Sequence, residues 1–299
     1  MSVSVATLNL HCGLDSRGVA YSVDAAVGAL AADVVLVQEN WRPAGADSLA
    51  RRAALAGGYE HLAELDIVRH TPLRDLKIIP GEVPDESGAW GLAVLSRFPV
   101  RAYRTVALGT APGDVAGARA AQVLEVTDAN GTPLRVVNVH LTHRLAHGPA
   151  QLRRLLRALR DTAEQEDAAG RGEPGAGAVG RGAAEGGARG EDAMRRGGEG
   201  AGRGDARQGS ELPTVIGGDF NMCRPVVYLS RGYRPLVRGR TWPAHRPVAQ
   251  LDHLLAGPGV TLAAQEVGRP VGSDHLPVRA QLALAGERRT ELVADRVPG

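Results

Sequence analysis

Short apolar runs recur along most of the chain and predict β-strands, because period-two alternation or a brief continuous apolar run is typical of a strand. The predicted strands cover residues 3–10, 33–39, 90–96, 100–107, 119–126, 133–141, 214–216, 250–255, 261–267 and a last stretch that ends near residue 284. Asn130-Gly131 is a strong turn signal, so the strands on either side of it are expected to form a hairpin. Hairpins of this kind argue against a purely parallel sheet.

Helical periodicity between these strands predicts three helices. The first covers residues 23–31 after Ser22, the second begins at Asp47 or Ser48 and ends at Gly57-Gly58, and the third covers residues 151–162. Serine at the first position and glycine at the last are the residue types that cap helices. By contrast, residues 66–88 hold three prolines and scattered charge, which predicts an irregular surface loop.

Residues 161–211 differ in composition from the rest of the chain, with 15 glycines, 11 alanines and no aromatic residue. Such a segment cannot bury enough apolar surface to offset the entropy of ordering it, which predicts a disordered insertion at about 168–211. We therefore expect one domain over residues 1–285, interrupted by this insertion and followed by a frayed tail at 286–299.

The formal net charge is +2, but it is spread unevenly. Residues 161–211 hold 11 acidic residues and 7 arginines, a net of −4, so the remainder carries +6. This charge is lower than that of proteins whose affinity comes mainly from contacts with nucleic-acid phosphates. Because the insertion is acidic, it is better interpreted as a surface excursion than as a basic tether for nucleic acid.

The chain carries no pattern that directs it to a membrane or to export. Its first residues lack the basic region of a signal peptide, and no apolar run approaches the length of a membrane span. Cys12 and Cys223 are too few for a disulfide scaffold, so we expect them to be reduced. These observations predict a cytoplasmic protein without a membrane span, and we expect a monomer.

The candidate chemistry begins at Asp219 and Asn221, which follow a predicted strand and two glycines. In an extended chain both side chains point to the same side, where they suit a phosphoryl group and a divalent metal. A strand followed by an Asx turn fits the same residues equally well. Polar residues also end or precede other predicted strands, at Asn9, at Gln38-Glu39, at His140, and at Asp252 with Asp274-His275.

Taken in order, these strand ends form a specific set of motifs. They are Leu8-Asn9, Gln38-Glu39, Asn138-Val139-His140-Leu141, Gly217-Gly218-Asp219-Phe220-Asn221, Leu251-Asp252-His253 and Ser273-Asp274-His275-Leu276-Pro277. The ordered set resembles the endonuclease/exonuclease/phosphatase superfamily of metal-dependent phosphoesterases. The resemblance implies an α/β fold, a four-layer αββα sandwich of two packed mixed β-sheets with the site at one end.

The resemblance also implies a metal site. Glu39 matches the principal metal ligand of the family, Asn9 supplies a further oxygen, and Asp274 is a second carboxylate on the metal side. Mg²⁺ takes one or two carboxylates and substrate phosphate while it keeps several waters, and Mn²⁺ is an alternative. Gln38 is either an oriented neutral ligand or a buried hydrogen-bonding group, and the second interpretation fits better.

Four further residues match the catalytic positions of the family. Asp219 is expected to activate or orient the attacking water, and Asn221 to hold a phosphoryl oxygen. Asp252 and His275 match a carboxylate–histidine pair, in which the carboxylate favours the imidazolium. His275 then either accepts the proton of the water or stabilises the phosphorane as a cation, and the sequence leaves both roles open.

The residue type at position 140 indicates which branches of the family the chain resembles most. Exonuclease III-type enzymes carry a tyrosine at this position, whereas deoxyribonuclease-, sphingomyelinase- and inositol-phosphatase-like branches carry the histidine. It is expected to protonate the leaving oxygen or to bind phosphate. The family pairs this histidine with a glutamate upstream of the third strand, and Asp85 or Glu86 lies nearest that position. Four other histidines are interpreted as solvent or packing residues: His11, His143, His147 and His253.

Two further stretches near the motifs have open interpretations. Trp242-Pro243 either lines a pocket or braces the strand that carries Asp252. Arginines that follow the Asp219 loop are candidates for a local anion-binding rim, at Arg224, Arg231, Arg234, Arg238 and Arg240. Leu92 occupies a position where relatives often have asparagine.

The sequence thus predicts a Mg²⁺-dependent hydrolase that cleaves a phosphodiester or phosphomonoester by direct attack of water. The expected substrate is a nucleic acid, a phospholipid headgroup or a small phosphate ester. The alternatives are an endonuclease that acts on DNA and a catalytically silent phosphate-binding module of the same fold.

Overall fold

The computed structural model describes residues 2–76, 83–170, 212–227, 230 and 232–284. Its strands are β1 (Val3–Asn9), β2 (Val34–Pro43), β3 (His61–Pro72), β4 (Ser87–Ser96), β5 (Val100–Thr110), β6 (Ala118–Thr127), β7 (Pro133–His140), β8 (Thr214–Asp219), β9 (Arg234–Pro235), β10 (Asp252–Ala256), β11 (Val260–Val267) and β12 (Val278–Leu284). Its helices are α1 (Val23–Gly28), α2 (Leu49–Gly57), α3 (Gly148–Gly170) and α4 (Arg224–Val227), with single 3-10 turns at His11–Gly13 and Leu73–Leu76.

The strands form two six-stranded sheets. The order is β11-β12-β1-β2-β4-β3 in the first sheet and β5-β6-β7-β8-β10-β9 in the second. One pair in each sheet is parallel, β1 with β2 and β7 with β8, and the remaining pairs are antiparallel. Both sheets are therefore mixed, as predicted.

Alternation along the strands divides the apolar residues among three cores. Val5 and Leu36 of the first sheet pack with Val136 and Val215 of the second, so the middle core lies between the sheets. A second core joins the other face of the first sheet to α1 and α2. A third core joins the other face of the second sheet to α3 through the buried leucines of that helix. The four-layer αββα arrangement is confirmed.

The predicted helix caps are present. The Ser22 hydroxyl accepts a hydrogen bond from the Ala25 amide at 3.2 Å, and the Ser48 hydroxyl accepts one from the Arg51 amide at 3.0 Å. Gly58 ends α2 in the left-handed region, with φ of 67°. The first helix is shorter than predicted, because the chain leaves the helical region and reaches a positive φ of 45° at Ala31.

The prediction of an irregular loop at residues 66–88 was wrong. Strand β3 continues to Pro72 and pairs with β4, and the following turn buries Leu73 and Leu76. Proline is tolerated there because β3 is an edge strand, where its missing N–H removes no ladder hydrogen bond. Two register shifts between β3 and β4 break the alternation that would have marked the strand. Residues 77–82 lie outside the described residues.

Two other predictions fall on parts of the chain that the structure does not describe. The backbone of α3 continues to Gly170, so the first three residues of the insertion predicted at about 168–211 are helical. The rest of that insertion and the tail at 286–299 lie outside the described residues. No helix within the described ranges is long and apolar enough to cross a membrane. Cys12 is buried and Cys223 is exposed, and both are free thiols, as expected.

Candidate active site

The two parallel strand pairs bring the first four motifs to one end of the sandwich. In the first sheet Asn9 lies opposite Gln38, and in the second sheet His140 lies opposite Asp219. Asn9, His140 and Asp219 are the last residues of their strands, whereas Gln38 lies midway along β2, level with the end of β1. These ends of the two sheets face each other, because the Asn9 Nδ2 atom donates a hydrogen bond to Asp219 Oδ2 at 3.1 Å.

The antiparallel neighbours complete the cluster, because they begin where the parallel strands end. Asp252, the first residue of β10, lies opposite Asp219. Asp274 and His275 lie four and three residues before the start of β12, which pairs antiparallel with β1. The Ser273 hydroxyl fixes this segment, since it donates to the Asn9 carbonyl oxygen at 2.7 Å and accepts from the His275 amide at 3.2 Å.

The two glycines before Asp219 allow β8 to approach its neighbours closely. Gly218 has φ of 142°, and a Cβ atom there would lie 1.9 Å from the Val139 carbonyl oxygen. A Cβ atom at Gly217 would lie 2.6 Å from the Leu36 side chain of the facing sheet. Side chains at these two positions would separate β8 from β7 and from the first sheet. The glycines therefore keep Asp219 within reach of Asn9.

A β-bulge places Glu39 in the site. The register of β2 on β4 shifts after Val37, so that Gln38 and Glu39 together oppose Leu92. Val37 points to the core under the helices, and uninterrupted alternation would send Glu39 to that same face. Instead Glu39 takes φ of 52°, and its Oε1 atom accepts a hydrogen bond from Asn9 Nδ2 at 3.0 Å.

Gln38 belongs to a buried polar network between the sheets. Its Oε1 atom accepts from the Thr7 hydroxyl at 3.2 Å, and its Nε2 atom donates to Asn138 Oδ1 at 2.7 Å. The Asn138 amide in turn donates to Gln122 and to backbone carbonyls of β2 and β4. These contacts match the interpretation of Gln38 as a buried hydrogen-bonding group, and they hold β2 next to the bulge.

His275 and Asp252 form a close buried pair. The His275 Nδ1 atom lies 2.8 Å from Asp252 Oδ2, and its Nε2 atom lies 3.8 Å from Asp219 Oδ2. Burial alone would lower the pKa of His275, but the charges of Asp252 and Asp219 raise it to about 10. His275 is therefore an imidazolium at neutral pH in this arrangement.

Asp219 lies at the centre of the site. Its Oδ1 atom accepts a hydrogen bond from the Asn221 backbone N–H at 2.8 Å. This hydrogen bond forms the Asx turn that the sequence offered as an alternative interpretation. Burial raises the pKa of Asp219 to about 7, against the opposing effect of the His275 charge. Asn221 lines the cavity that lies over these residues, and its side-chain Nδ2 atom donates to the Leu141 carbonyl oxygen at 3.0 Å. The Asx turn and the polar site thus coexist.

His140 faces both carboxylates of the central strands. Its Nε2 atom lies 3.5 Å from Asp219 Oδ2 and 3.9 Å from Glu39 Oε1. Its ring packs against Trp90, with the ring centroids 5.3 Å apart. Burial, followed by the nearby charge of Arg119, holds the pKa of His140 well below its usual value. His140 is therefore a neutral imidazole at pH 7.

The expected carboxylate partner of His140 is not at either predicted position. Asp85 forms an ion pair with Arg74 at 2.8 Å, and Glu86 accepts a hydrogen bond from Trp41 Nε1 at 2.7 Å. The Nδ1 atom of His140 is buried without a hydrogen-bond partner among the described residues. Both acids are therefore paired with other donors, Arg74 and Trp41, and not with His140.

The carboxylates of Glu39, Asp252 and Asp274 accept few hydrogen bonds. Burial raises the pKa of Glu39, and its Oε2 atom has a weak contact with the Cys12 thiol at 3.9 Å. Trp242 Nε1 donates to Asp274 Oδ2 at 3.2 Å. Within the described part of the chain, Asp274 Oδ1 and Asp252 Oδ1 are buried without a hydrogen-bond partner. Buried carboxylates that lack donors fit a hard divalent cation.

Geometry alone also groups Asp219, Asp252 and His275, whose ligand atoms lie within 4.8 Å of one another. Chemistry favours a different set of ligands. The Nδ1 atom of His275 is already paired with Asp252, and a charged imidazolium repels a cation. Glu39 and Asp274 offer carboxylate oxygen atoms without that conflict, whereas Asn9 Oδ1 already accepts a hydrogen bond from the His11 backbone N–H at 2.9 Å and has one lone pair left for a cation.

A cavity of about 510 Å³ lies over the cluster. Sequence reasoning missed four of its charged or titratable lining residues, which are His11, Arg119, His143 and Arg144. The position of His11, two residues after Asn9 at a strand end, was a usable signal, whereas an isolated arginine such as Arg119 carries none. Of the two interpretations of Trp242-Pro243, the structure supports the first, because Trp242 lines the cavity. The strand that carries Asp252 is held by the preceding residue, since the Thr241 hydroxyl accepts from the Asp252 backbone N–H at 3.2 Å.

Other sequence interpretations near the cavity have mixed outcomes. None of the described arginines of the predicted rim, at positions 224, 234, 238 and 240, lines the cavity, and Arg231 lies outside the described residues. His11 is buried, lines the cavity and lies 3.7 Å from Asp274, and its interpretation as a solvent or packing residue stays a prediction. His143 also lines the cavity. His253 is a packing residue as expected, buried beside Phe220 and within 2.9 Å of the Met222 carbonyl oxygen.

Comparison with solved structures finds the same fold in several proteins. The chain is similar to an endonuclease/exonuclease/phosphatase from Beutenbergia cavernae DSM 12333, with a TM-score of 0.60, 21% identity and coverage of 95% of this chain and 72% of that chain. It is similar to the human Nocturnin catalytic domain with bound sulfate anion, with a TM-score of 0.58, 14% identity and coverage of 95% and 94%. It is also similar to D. rerio TDP2 complexed with single strand DNA product, with a TM-score of 0.55, 14% identity and coverage of 94% and 99%.

No curated protein sequence matches the chain. A family model does, over residues 6–275, and its description is the endonuclease/exonuclease/phosphatase family. The match includes every strand-end motif from Asn9 to His275 and agrees with the two-sheet fold. The chain therefore belongs to the endonuclease/exonuclease/phosphatase family.

Proposed function

We propose that this protein is a hydrolase that cleaves a phosphoester by direct attack of water and depends on a divalent cation. The observation that carries the proposal is the arrangement around Asp219. A carboxylate with a pKa of about 7 lies between a histidine held as a cation by Asp252 and the Asn9 amide group, whose Nδ2 atom donates to both Asp219 and Glu39. A site that only bound phosphate would not need a buried proton acceptor next to a buried cation.

The cation would be held by Glu39 and Asp274, with the second lone pair of Asn9 Oδ1, which also accepts from the His11 backbone N–H, as a further oxygen ligand. These residues fit the role because Asp274 Oδ1 lacks a donor and Glu39 is buried beside a weakly polar thiol. A bound Mg²⁺ would neutralise phosphoryl charge and lower the pKa of the attacking water, and Mn²⁺ fits the same oxygen ligands.

Asp219 is the proposed proton acceptor. Its pKa of about 7 lies near neutral pH, which suits a general base. The Asn221 backbone N–H donates to Asp219 Oδ1 at 2.8 Å, and Asn9 Nδ2 donates to Asp219 Oδ2 at 3.1 Å. These two hydrogen bonds fix the orientation of the carboxylate. Asn221 is placed to contact a phosphoryl oxygen from the cavity wall.

His275 is the proposed electrostatic group. As an imidazolium it donates a hydrogen bond from Nε2 and stabilises the negative charge that develops on the phosphoryl oxygens. The pair with Asp252 therefore supports the cationic role over the alternative in which His275 accepts the proton of the water. His140 is neutral, so it supports phosphate binding through a ring N–H rather than full protonation of the leaving oxygen.

The substrate is proposed only at the level of a phosphoester. The likeness to a TDP2 structure that contains single strand DNA product supports nucleic acid as an alternative substrate. The mild charge of the chain argues for a compact phosphoester, because binding along a nucleic acid requires many cationic contacts. Activity on DNA that falls steeply between low and high salt, and exceeds activity on small esters, would favour the nuclease.

The metal dependence is tested by calorimetry and hydrolysis together. Purified protein is titrated with Mg²⁺ and then assayed on bis-p-nitrophenyl phosphate, inositol phosphates, phospholipids and DNA. Glu39→Gln is expected to weaken Mg²⁺ binding at least tenfold and to lower turnover, whereas Glu60→Gln, on an exposed residue outside the cavity, serves as the matched control. Equal Mg²⁺ affinity in both variants, or hydrolysis that survives EDTA, would contradict the proposal.

A further inference from the structure

Large apolar side chains are concentrated at the mouth of the cavity. Seven are exposed within the described residues, and four of these belong to loops that border the site. Val115 and Trp242 line the cavity with 39% and 37% of their surface exposed. Leu145, 87% exposed, follows the lining residue Arg144, and Val248, 59% exposed, donates its amide hydrogen to the Trp242 carbonyl oxygen at 2.8 Å. We refer to these four side chains as the apolar rim.

The loops that carry the apolar rim are residues 112–117, 143–147 and 242–249. The first two are joined, because the Arg144 guanidinium donates to the Gly113 carbonyl oxygen. The third reaches the same cavity through Trp242. The apolar rim therefore surrounds one opening rather than three unrelated points on the surface.

The charges of these loops have one sign at the surface. Arg144 and Arg246 are exposed and supply the positive charge of these loops. The three loops contain one acidic residue, Asp114, whose side chain is buried in a two-atom ion pair with Arg119, both contacts at 2.9 Å. Apolar and cationic groups with no exposed acid form the combination that adsorbs to an anionic lipid surface.

We propose that the apolar rim seats the protein on an anionic phospholipid surface, so that the cavity opens toward phosphodiester headgroups in the bilayer. This inference rests on the proposed phosphoesterase function and narrows its substrate to phospholipid. Exposed apolar side chains grouped at one opening gain free energy by leaving water, and tryptophan favours the headgroup level of a membrane. Basic residues at the same level add electrostatic attraction without the dense positive groove that long nucleic acid requires.

The arrangement of Trp242 supports this orientation. Its indole Nε1 atom is committed to Asp274 on the inner side, at 3.2 Å, while part of its ring remains exposed at the cavity mouth. A lipid headgroup that enters past this ring would bring its phosphate toward Asp219 and His275, while its acyl chains would stay among the apolar side chains of the rim.

Binding is measured separately from catalysis. The full chain is sedimented with vesicles of phosphatidylcholine alone or with one third phosphatidylglycerol, in EDTA to prevent metal-dependent hydrolysis. Leu145→Ser and Val248→Ser are each expected to lower the partition coefficient on the anionic vesicles by about tenfold. Leu55→Ser and Val19→Ser remove apolar side chains that are 74% and 61% exposed away from the cavity, and they are expected to leave binding unchanged.

Hydrolysis of soluble bis-p-nitrophenyl phosphate by the same variants separates the two proposals. Leu145 and Val248 do not line the cavity, so retained turnover shows that the fold and the site survive. Wild-type protein that hydrolyses the soluble ester but does not bind anionic vesicles overturns the apolar-rim proposal alone. Vesicle binding without hydrolysis of any phosphoester overturns the proposed function alone. Equal loss in rim and control variants, or a rim variant that weakens only single-stranded DNA binding, also overturns the assignment to lipid.

Discussion

Replacing Asp252 with asparagine isolates the charge that holds His275 as a cation. Asparagine keeps the shape and can still accept from Nδ1 across the 2.8 Å contact, but it removes the negative charge. The pKa of His275 is about 10, against an ordinary value of 6.5. That difference corresponds to roughly 5 kcal/mol of preference for the charged form, of which Asp252 is the larger electrostatic source and Asp219 the next.

The sign of the effect follows directly. In Asp252→Asn the opposing effect of burial remains while the main stabilising charge is lost, so the pKa of His275 is expected to fall by several units and the ring to become neutral at pH 7. Turnover is expected to fall by about 10²- to 10⁴-fold, as for the loss of one acid–base group.

The assay is a histidine ring titration by NMR in metal-free protein, followed by kcat on a soluble phosphoester. Wild-type protein should keep the His275 ring protonated past pH 9, whereas Asp252→Asn should titrate near or below pH 6.5. A His275 ring that still titrates near pH 10 in the variant, with kcat unchanged, would refute the reasoning that this pair supplies a fixed cation.

Two further predictions concern the framework of the site. Gly218→Ala should lower the free energy of unfolding in urea by about 3 kcal/mol or more, because the new Cβ atom meets the Val139 carbonyl oxygen at 1.9 Å. The control is Gly131→Ala, also at positive φ but in open space, which should lower it by only about 1 kcal/mol. Equal losses in the two variants would exclude the close approach as the cause. Although burial opposes it, Arg119 lowers the pKa of Asp114 below 3.8, so the ion pair stabilises the fold above that pH and loses its effect as pH falls through the folded-state pKa. Asp114→Asn should therefore cost about 3–5 kcal/mol at pH 7 and progressively less below pH 4, and a pH-independent difference would contradict this account.

Much of the fold follows from local patterns in the sequence. The helix caps at Ser22 and Ser48 and the hairpin at Asn130-Gly131 are encoded by short-range chemistry, and each is present in the structure. Strand β3 was missed because its bulges and its terminal Pro72 disturb the period-two alternation. An edge strand tolerates both features, and that tolerance depends on topology rather than on local sequence.

The site also has a part that the sequence predicts and a part that it does not. Motif residues such as Asp219 and His275 were predicted to lie together because strand ends carry them in a recognisable order. The surroundings were not predictable, because Glu86 binds Trp41 instead of His140 and the bulge at Glu39 reverses the face that alternation assigns to it. Arg119 reaches the cavity from strand β6 and Arg144 from the loop before α3, and both placements depend on tertiary packing.

The measurement that tests the central claim most directly is kcat of Asp219→Asn on bis-p-nitrophenyl phosphate with Mg²⁺. Asparagine has nearly the same volume and cannot accept the proton of the attacking water, so turnover is expected to fall by about 10³-fold or more. Asp161→Asn, at an exposed position on α3, is the matched control and should retain wild-type turnover. Wild-type turnover in Asp219→Asn would contradict the account, because the carboxylate at the centre of the cluster would then have no part in the chemistry.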